Sequence, residues 1–405
     1  MIALRLLPVL VTAIALVMPV TAAHALVPGV TSGAVTSGAV TSTPQRLAGG
    51  DRYSTSVAIA SRFAEGVPVA YVATGTNYPD ALSAAPAAAA LGGPLLLTAP
   101  DSLPAVVAAE ITRLAPQLIV VVGGNAAVSP EVYDQLSAMT PAIRRDSGVD
   151  RYETSRTINR NAFPAGSPSA FVATGTNFPD ALSASAAAGS VSAPVVLVDG
   201  SASAVAPATS ELLTSLHVTS VKIAGGTAVV SESLSASLRT VTGVGVVSRL
   251  AGADRYSTSV AINNGSFESA PTVFLAVGSG FADALAGAAL AGHDHAPLFV
   301  TPGNCVYAST LAEMARLGAT THVLLGGPAA LTSGVENLIT CESLSQPVPD
   351  VQPTVPPRPS SGINCSSFST QPEAQAFYNL YYPAYGDIAR LDRDNDGIAC
   401  ESLPR

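Results

Sequence analysis

A block of eleven residues occurs three times in this chain, and no other feature limits the fold as tightly. Arg46-Leu-Ala-Gly-Gly-Asp-Arg-Tyr-Ser-Thr-Ser56 returns as Arg145-Asp-Ser-Gly-Val-Asp-Arg-Tyr-Glu-Thr-Ser155 and as Arg249-Leu-Ala-Gly-Ala-Asp-Arg-Tyr-Ser-Thr-Ser259, at spacings of 99 and 104 residues. Such periodicity means one structural unit built repeatedly. Each copy then carries an apolar run closed by a glycine turn: Tyr71-Val-Ala-Thr-Gly-Thr-Asn-Tyr-Pro-Asp-Ala-Leu82, Phe171-Val-Ala-Thr-Gly-Thr-Asn-Phe-Pro-Asp-Ala-Leu182 and Phe274-Leu-Ala-Val-Gly-Ser-Gly-Phe-Ala-Asp-Ala-Leu285. A third shared element is a run ending in paired glycines: Leu118-Ile-Val-Val-Val-Gly-Gly124, Val221-Lys-Ile-Ala-Gly-Gly226 and His322-Val-Leu-Leu-Gly-Gly327.

Apolar runs without polar alternation mark strands covered on both faces, as in a parallel sheet between helices. Between them lie Ala-rich stretches that favour helix and pack closely. In repeat one this predicts helices over 55–63, 81–91, 105–114 and 130–139, and strands over 70–74, 95–98 and 118–122. That is an α/β doubly wound unit of about 100 residues. Ser129, Ser231 and Thr332 fall where a helix N-cap is wanted. Charged residues make up only 12% of the chain, beside 34 Gly and 31 Pro, which describes tightly packed small side chains and excludes wholesale disorder. A net charge of -9 with only 19 Lys plus Arg lacks the cations that phosphate-backbone binding needs, so no nucleic acid is expected.

The ends of the chain read differently. Residues 1–25 hold one cation, Arg5, then the apolar run Leu6 to Val20 and the exit Ala23-His24-Ala25, the pattern of a secretory signal peptide. Pro8, Pro19 and the small-residue exit argue against an anchor, which needs about 20 apolar residues. A secreted protein is expected, off the membrane once the signal is cleaved. Residues 26–44, with a repeated Gly-Ala-Val-Thr-Ser, have too little apolar mass for a core and read as linker. Cys305, Cys341, Cys365 and Cys400 allow three pairings. The Pro-rich segment 345–361 separates the first two from the last two as a semi-rigid spacer, which favours Cys305 with Cys341 and Cys365 with Cys400. The repeats are bounded at 45–143, 144–247 and 248–344, and a small module occupies 362–405.

In open α/β sheets, ligands bind beyond the carboxyl ends of the strands, and free N–H groups at helix N-termini favour anions. Beside the repeated turns stand an Arg before a Tyr (Arg52, Arg151, Arg255), an upstream Arg (Arg46, Arg145, Arg249) and an Asp at a helix start (Asp80, Asp180, Asp283). A guanidinium grips phosphate or carboxylate through paired N–H groups. The structural alternative is an internal Arg–carboxylate clasp and an Asp that only caps its helix.

Together, R-L-A-G-x-D-R-Y-x-T-S, G-T-N-[YF]-P-D-A-L and the V-V-G-G turn resemble the type 2 cell-wall-binding repeat family, over Arg46 to Asn337. The resemblance implies three Rossmann-like modules in a pseudo-threefold arrangement. It also implies non-covalent attachment to an anionic polymer of a Gram-positive wall, teichoic-acid-like or a secondary polysaccharide, near the module interfaces. The nine Arg and Asp residues are then its candidate contacts. Repeat two has Asp146-Ser147 for Leu-Ala, and repeat three has Ser279-Gly280 for Thr-Asn and Ala282 for Pro, so unequal sites are expected.

Asp392-Arg-Asp394-Asn-Asp396-Gly397 sets carboxylates at alternate positions with Gly sixth, the first half of an EF-hand loop. Position twelve is Leu403, so Glu401 is the stand-in carboxylate. With Cys365, Phe368 and Glu373 to Tyr378, the segment resembles the Excalibur extracellular calcium-binding domain. That implies Ca2+ held by Asp392, Asp394, Asp396, the Ile398 carbonyl and Glu401. His293-Asp-His295 occupies a loop and is not read as a metal site. Competing readings are a wall hydrolase, amidase or glycan-cleaving, acting through the Asp set, and a surface-layer or adhesin component. Acid/base chemistry ordinarily uses one asymmetric pocket with a His or a close carboxylate pair. Here every group is triplicated, so a binding protein with no catalytic residues is expected.

Overall fold

The computed structural model describes residues 42–345, 359, 362–385, 387, 389–393 and 398–404. The signal segment, nearly all of the first linker, almost all of the Pro-rich run, Asp394 and Asp396 lie outside the described residues.

Repeat one folds as β1 (Thr43–Leu47), α1 (Arg52–Ala60), β2 (Val69–Thr74), α2 (Pro79–Ala90), β3 (Leu95–Thr98), α3 (Ala105–Leu114), β4 (Leu118–Val122) and α4 (Pro130–Ser137). Repeat two follows as β5 (Ile143–Asp146), α5 (Arg151–Ala162), β6 (Ser169–Thr174), α6 (Pro179–Gly189), β7 (Val195–Val198), α7 (Pro207–Ser215), β8 (Ser220–Ala224) and α8 (Glu232–Leu238). Repeat three adds β9 (Val246–Leu250), α9 (Arg255–Asn264), β10 (Thr272–Val277), α10 (Ala282–His293), β11 (Leu298–Thr301), α11 (Ala308–Leu317) and β12 (Thr321–Leu325). It ends in the short helices α12 (Ser333–Glu336) and α13 (Cys341–Ser345).

Three parallel sheets result, ordered β3-β2-β4-β5, β7-β6-β8-β9 and β1-β12-β10-β11. The fourth strand of each sheet comes from the repeat that follows it in a cycle: β5 pairs with β4, β9 with β8, and β1 with β12. The last of these pairings closes a ring. These strands end on the first two residues of the R-L-A-G motif, where no strand is expected from the sequence because Ile143–Asp146 is Ile-Arg-Arg-Asp, without an apolar run. Strand β1 also begins at Thr43, inside the segment expected to be linker.

The first helix of each repeat starts earlier than the apolar pattern suggests, because Asp51, Asp150 and Asp254 are its N-caps. Their carboxylates accept from the N–H groups of Ser54, Glu153 and Ser257 at 2.7, 2.7 and 2.8 Å. Ser129, Ser231 and Thr332 cap as expected.

Helices α2, α6 and α10 pack against one another at the centre of the ring, and their run of Ala, Gly and Ser allows that approach. At their carboxyl ends Ala89, Gly189 and Gly292 meet. A methyl on Gly189 would lie 2.8 Å from Ala89 Cβ and 3.1 Å from Gly292 Cα. At the other end the rings of Tyr78, Phe178 and Phe281 cluster, with centroids 5.2, 5.6 and 6.0 Å apart. Buried serines join two of the seams, Ser83 to Ser155 and Ser183 to Ser259, each at 2.7 Å. In α10 the residue at that helical position is Ala286, so the third seam lacks this bond.

The C-terminal module has its own core of Ala374, Tyr378, Leu391, Ala399 and Cys400, built on α14 (Gln371–Tyr385). Both expected disulfides are present, Cys305–Cys341 and Cys365–Cys400.

Candidate functional site

In the first sheet the chain passes from β2 outward to β3, then crosses back to β4 on the other side. The loops after β2 and β4 therefore diverge and leave a crevice at their carboxyl ends. The Gly75 and Gly123 turns border it, and α2 starts within it. Asp80 is the second residue of α2 and lies in its first turn, and the N-cap position belongs to Tyr78. Its carboxylate turns to the next repeat, where Thr154 and the Arg151 guanidinium face it. Asp180 likewise faces Arg255, and Asp283 faces Arg52 and Thr55.

Each of these Asp–Arg partnerships thus spans two repeats, and none closes to ion-pair distance, 4.0 Å. Burial lifts Asp80 above the ordinary carboxylate range and pushes Asp180 and Asp283 up to about 6, against the pull of the facing guanidinium. Desolvation wins because the opposite charge stays at a distance.

Each of these arginines is fixed at one nitrogen. Nη1 of Arg52, Arg151 and Arg255 donates to the carbonyls of Gly75, Gly175 and Gly278 at 2.5, 2.6 and 2.6 Å. The expected clasp on a carboxylate is therefore a clasp on a carbonyl. The upstream arginines bind the paired-glycine turns instead: Arg46 donates to Gly326 O and Arg145 to Gly123 O, both at 2.8 Å, and Arg249 to Gly225 O at 2.9 Å. Arg46 also pairs with Glu336 at 3.1 Å, and it does all this across the ring closure. The first glycine of each pair has a positive φ, +91° at Gly123 and +110° at Gly225. A Cβ on either would lie 2.6 Å from Oδ2 of Asp80 or Asp180, so the turn is glycine because the carboxylate rests on it.

Between repeats one and two, Asp80, Arg151, Thr154, Asn77 and Gly124 line a cleft of about 360 Å³. Between repeats three and one, Asp283, Arg52, Thr55, Ser279 and Gly327 line one of about 380 Å³. Phe281 of the axial aromatic cluster forms part of the second. Neither cleft contains a His, and neither Arg46 nor Arg145 lines them. Each offers a cation, a half-buried carboxylate, hydroxyls and backbone amides, a set suited to a hydroxyl-rich anionic ligand.

In the C-terminal module Asp392 is buried and its Oδ2 accepts from the Tyr378 hydroxyl at 3.0 Å. Asp387 accepts from the N–H groups of Leu391 and Asp392 at 2.8 and 3.1 Å. Among the described residues no three or more His, Cys, Asp or Glu gather as a metal cluster. Asp392 and Glu401 are hard oxygen donors of the kind a calcium ion takes. His295 Nδ1 hydrogen-bonds the Ser190 carbonyl at 2.7 Å, and His293 packs on Phe63.

Residues 46–133, 145–235 and 249–336 match the cell wall binding domain 2 (CWB2), and residues 363–401 match the Excalibur calcium-binding domain. The chain belongs to the CWB2 family. Two solved structures from Clostridium difficile are similar in fold, each with a TM-score of 0.67. Cwp8 is 27% identical, with 73% of this chain and 51% of that one covered, and Cwp6 is 24% identical, with 74% and 48% covered. Two Bacillus subtilis (strain 168) proteins are similar in sequence. The N-acetylmuramoyl-L-alanine amidase LytC is 26% identical over 293 residues, 72% of this chain and 57% of LytC. The amidase enhancer is 25% identical over 298 residues, 73% of this chain and 40% of that protein. The chain thus spans about half the length of these curated relatives. Among the described residues no helix is long and apolar enough to cross a membrane.

Proposed function

We propose that this is a cell-wall-binding surface protein whose inter-module clefts hold an anionic secondary polymer of the wall, such as a teichoic-acid-like chain or a polysaccharide. The observation that supports this most directly is the cyclic pairing of a desolvated Asp from one CWB2 module with an Arg from the next, held apart across an open cleft. Arg52, Arg151 and Arg255 take the anionic groups, while Asp80, Asp180 and Asp283 accept from hydroxyls. Arg46, Arg145 and Arg249 position the paired-glycine turns. The test is co-sedimentation with purified sacculi, before and after acid extraction of secondary polymers. Binding weakens with salt and falls sharply in the folded triple variant Arg52→Ala/Arg151→Ala/Arg255→Ala. Unchanged binding by that variant would sink the assignment, and release of glycan or peptide from the walls would make the chain a hydrolase.

The Excalibur module supports a second, separate role. Asp392, Asp394, Asp396, the Ile398 carbonyl and Glu401 are the residues that would hold Ca2+, and the ion would supply charge neutralisation that orders a small unit. With its shortened loop the site belongs to the weak extracellular class, roughly 0.1 to 1 mM. Calorimetry on the full chain tests this: one such site, lost in Asp394→Ala, with sacculus binding unchanged in chelator. Release from the wall by chelator would place calcium at the repeats instead.

A further inference from the structure

Module two carries a cavity of about 410 Å³ beyond the carboxyl end of β7, within the range of small-molecule sites, roughly 300 to 1,000 Å³. It lies between α5, the loop entering α7, and Leu234 of α8. Comparison of the three copies explains how it arises. The residue preceding α3, α7 and α11 is Pro104, Ala206 and Tyr307 respectively. In module three Tyr307 packs on Tyr256, with ring centroids 5.2 Å apart. In module two Ala206 leaves the equivalent Tyr152 uncovered. The loop between strand and capping residue is also longer there, seven residues (199–205) against five in each sister (99–103 and 302–306), and between Asp199 and Val205 it is built from Gly, Ser and Ala.

The same cavity gains charges that its sisters lack. The sixth residue of the first helix is Val57 in α1 and Val260 in α9, but Arg156 in α5. The first residue after β3 and β11 is Ala99 and Pro302, but after β7 it is Asp199. Arg156 is half-buried, lines the cavity, and makes no guanidinium hydrogen bond or ion pair among the described residues. Asp199 is held in place by the N–H and hydroxyl of Ser201, at 3.0 and 2.6 Å. Its charge, after burial, helps raise the Tyr152 hydroxyl, and both residues line the cavity. Asp150, on the rim, is common to all three modules.

These groups define a ligand. A neutral sugar would leave the Arg156 charge unanswered, and a purely anionic one would face Asp199 and Asp150. A ligand with both signs answers each. We propose that this cavity binds one amphoteric pyranose: its carboxylate on Arg156, its ammonium on Asp199, and its ring face on Tyr152 among the alanine methyls.

Muramic acid, a pyranose bearing one carboxylate and one ammonium, is the probe, titrated into the full chain by calorimetry. One saturable site is expected, with glucosamine and N-acetylmuramic acid each about tenfold weaker for want of one charge-assisted contact. Ala206→Tyr, which installs the residue of module three, abolishes binding, and Arg156→Val removes the preference for muramic acid over glucosamine. Both variants keep wild-type sacculus binding, so this pocket and the inter-module clefts are read separately. The absence of saturable binding, equal binding of all three sugars, or undiminished binding by folded Ala206→Tyr would each overturn the proposal.

Discussion

Replacing Gly189 with Ala tests how the ring is held together. The new methyl would stand 2.8 Å from Ala89 Cβ and 3.1 Å from Gly292 Cα, both closer than carbon atoms pack. Two effects compete. Alanine is the better helix former by up to ~1 kcal/mol, but Gly189 is the last residue of α6, where little of that gain is realised. Overpacking in a close-packed interior costs about 1 to 3 kcal/mol. The clash wins, and net destabilisation of roughly 1 to 2 kcal/mol is expected.

The informative variant is the exchange, Ala89→Gly with Gly189→Ala, which moves one methyl from α2 to α6 at the same point on the axis. Ala89→Gly alone costs about 0.5 to 1 kcal/mol. Because the 2.8 Å contact disappears in the exchange while the 3.1 Å contact remains, the double variant lies closer to wild type than the sum of the singles, by about 1 kcal/mol. Urea unfolding followed by far-ultraviolet circular dichroism reads all four proteins. Additivity within about 0.3 to 0.5 kcal/mol would show that the two methyls do not compete for one space, and the axial packing argument would fail.

Three further outcomes follow from the same geometry. Asp180 and Asp283 hold their protons up to about 6 in the folded chain, against 3.8 ordinarily. The folded state therefore binds protons more tightly, and their contribution to stability falls as pH rises from about 4 to 6. With both changed to Asn that fall shrinks, by on the order of 1 kcal/mol per group after allowing for partial exposure; unfolding midpoints with the same pH slope as wild type would refute it. Cys305 and Cys341 are 36 residues apart, and their paired replacement by Ser costs about 4 kcal/mol on the chain-entropy estimate, with hydrogen exchange rising first around α11 and α13 while α5 to α7 keep their protection. Gly123→Ala forces both a positive φ and a contact with Asp80, so urea unfolding should record a loss of about 1 to 3 kcal/mol.

The runs Leu118 to Val122 and Ala81 to Leu91 were legible in the sequence because burial on both faces leaves an unbroken apolar string. The strand Ile143–Asp146 was not, since it pairs at a sheet edge through its backbone while Arg145 reaches the Gly123 turn and Arg144 pairs with Asp146. The Asp80 set was visible as a motif, but its partners were not, because each Arg lies in the following repeat and the last partnership runs back to the first. Aromatic residues at 78, 178 and 281 sat inside the quoted motifs; only the meeting of three helices makes them one cluster. The module-two cavity is a product of absences, an alanine and a valine-to-arginine change, and the search for similarity between repeats passes over such differences.

Strand β1 has a consequence for how many repeats such a chain must contain. Because it completes the sheet of the third repeat, no repeat is first or last in space, and the two ends of the ring lie side by side on β1 and β12. Two repeats alone would leave one sheet without its fourth strand and one such strand without a sheet, a pair of open edges that another copy would fill. The chain could equally be cut between any two repeats and rejoined between Asn337 and Thr43 by a short bridge, and the circle would be unchanged.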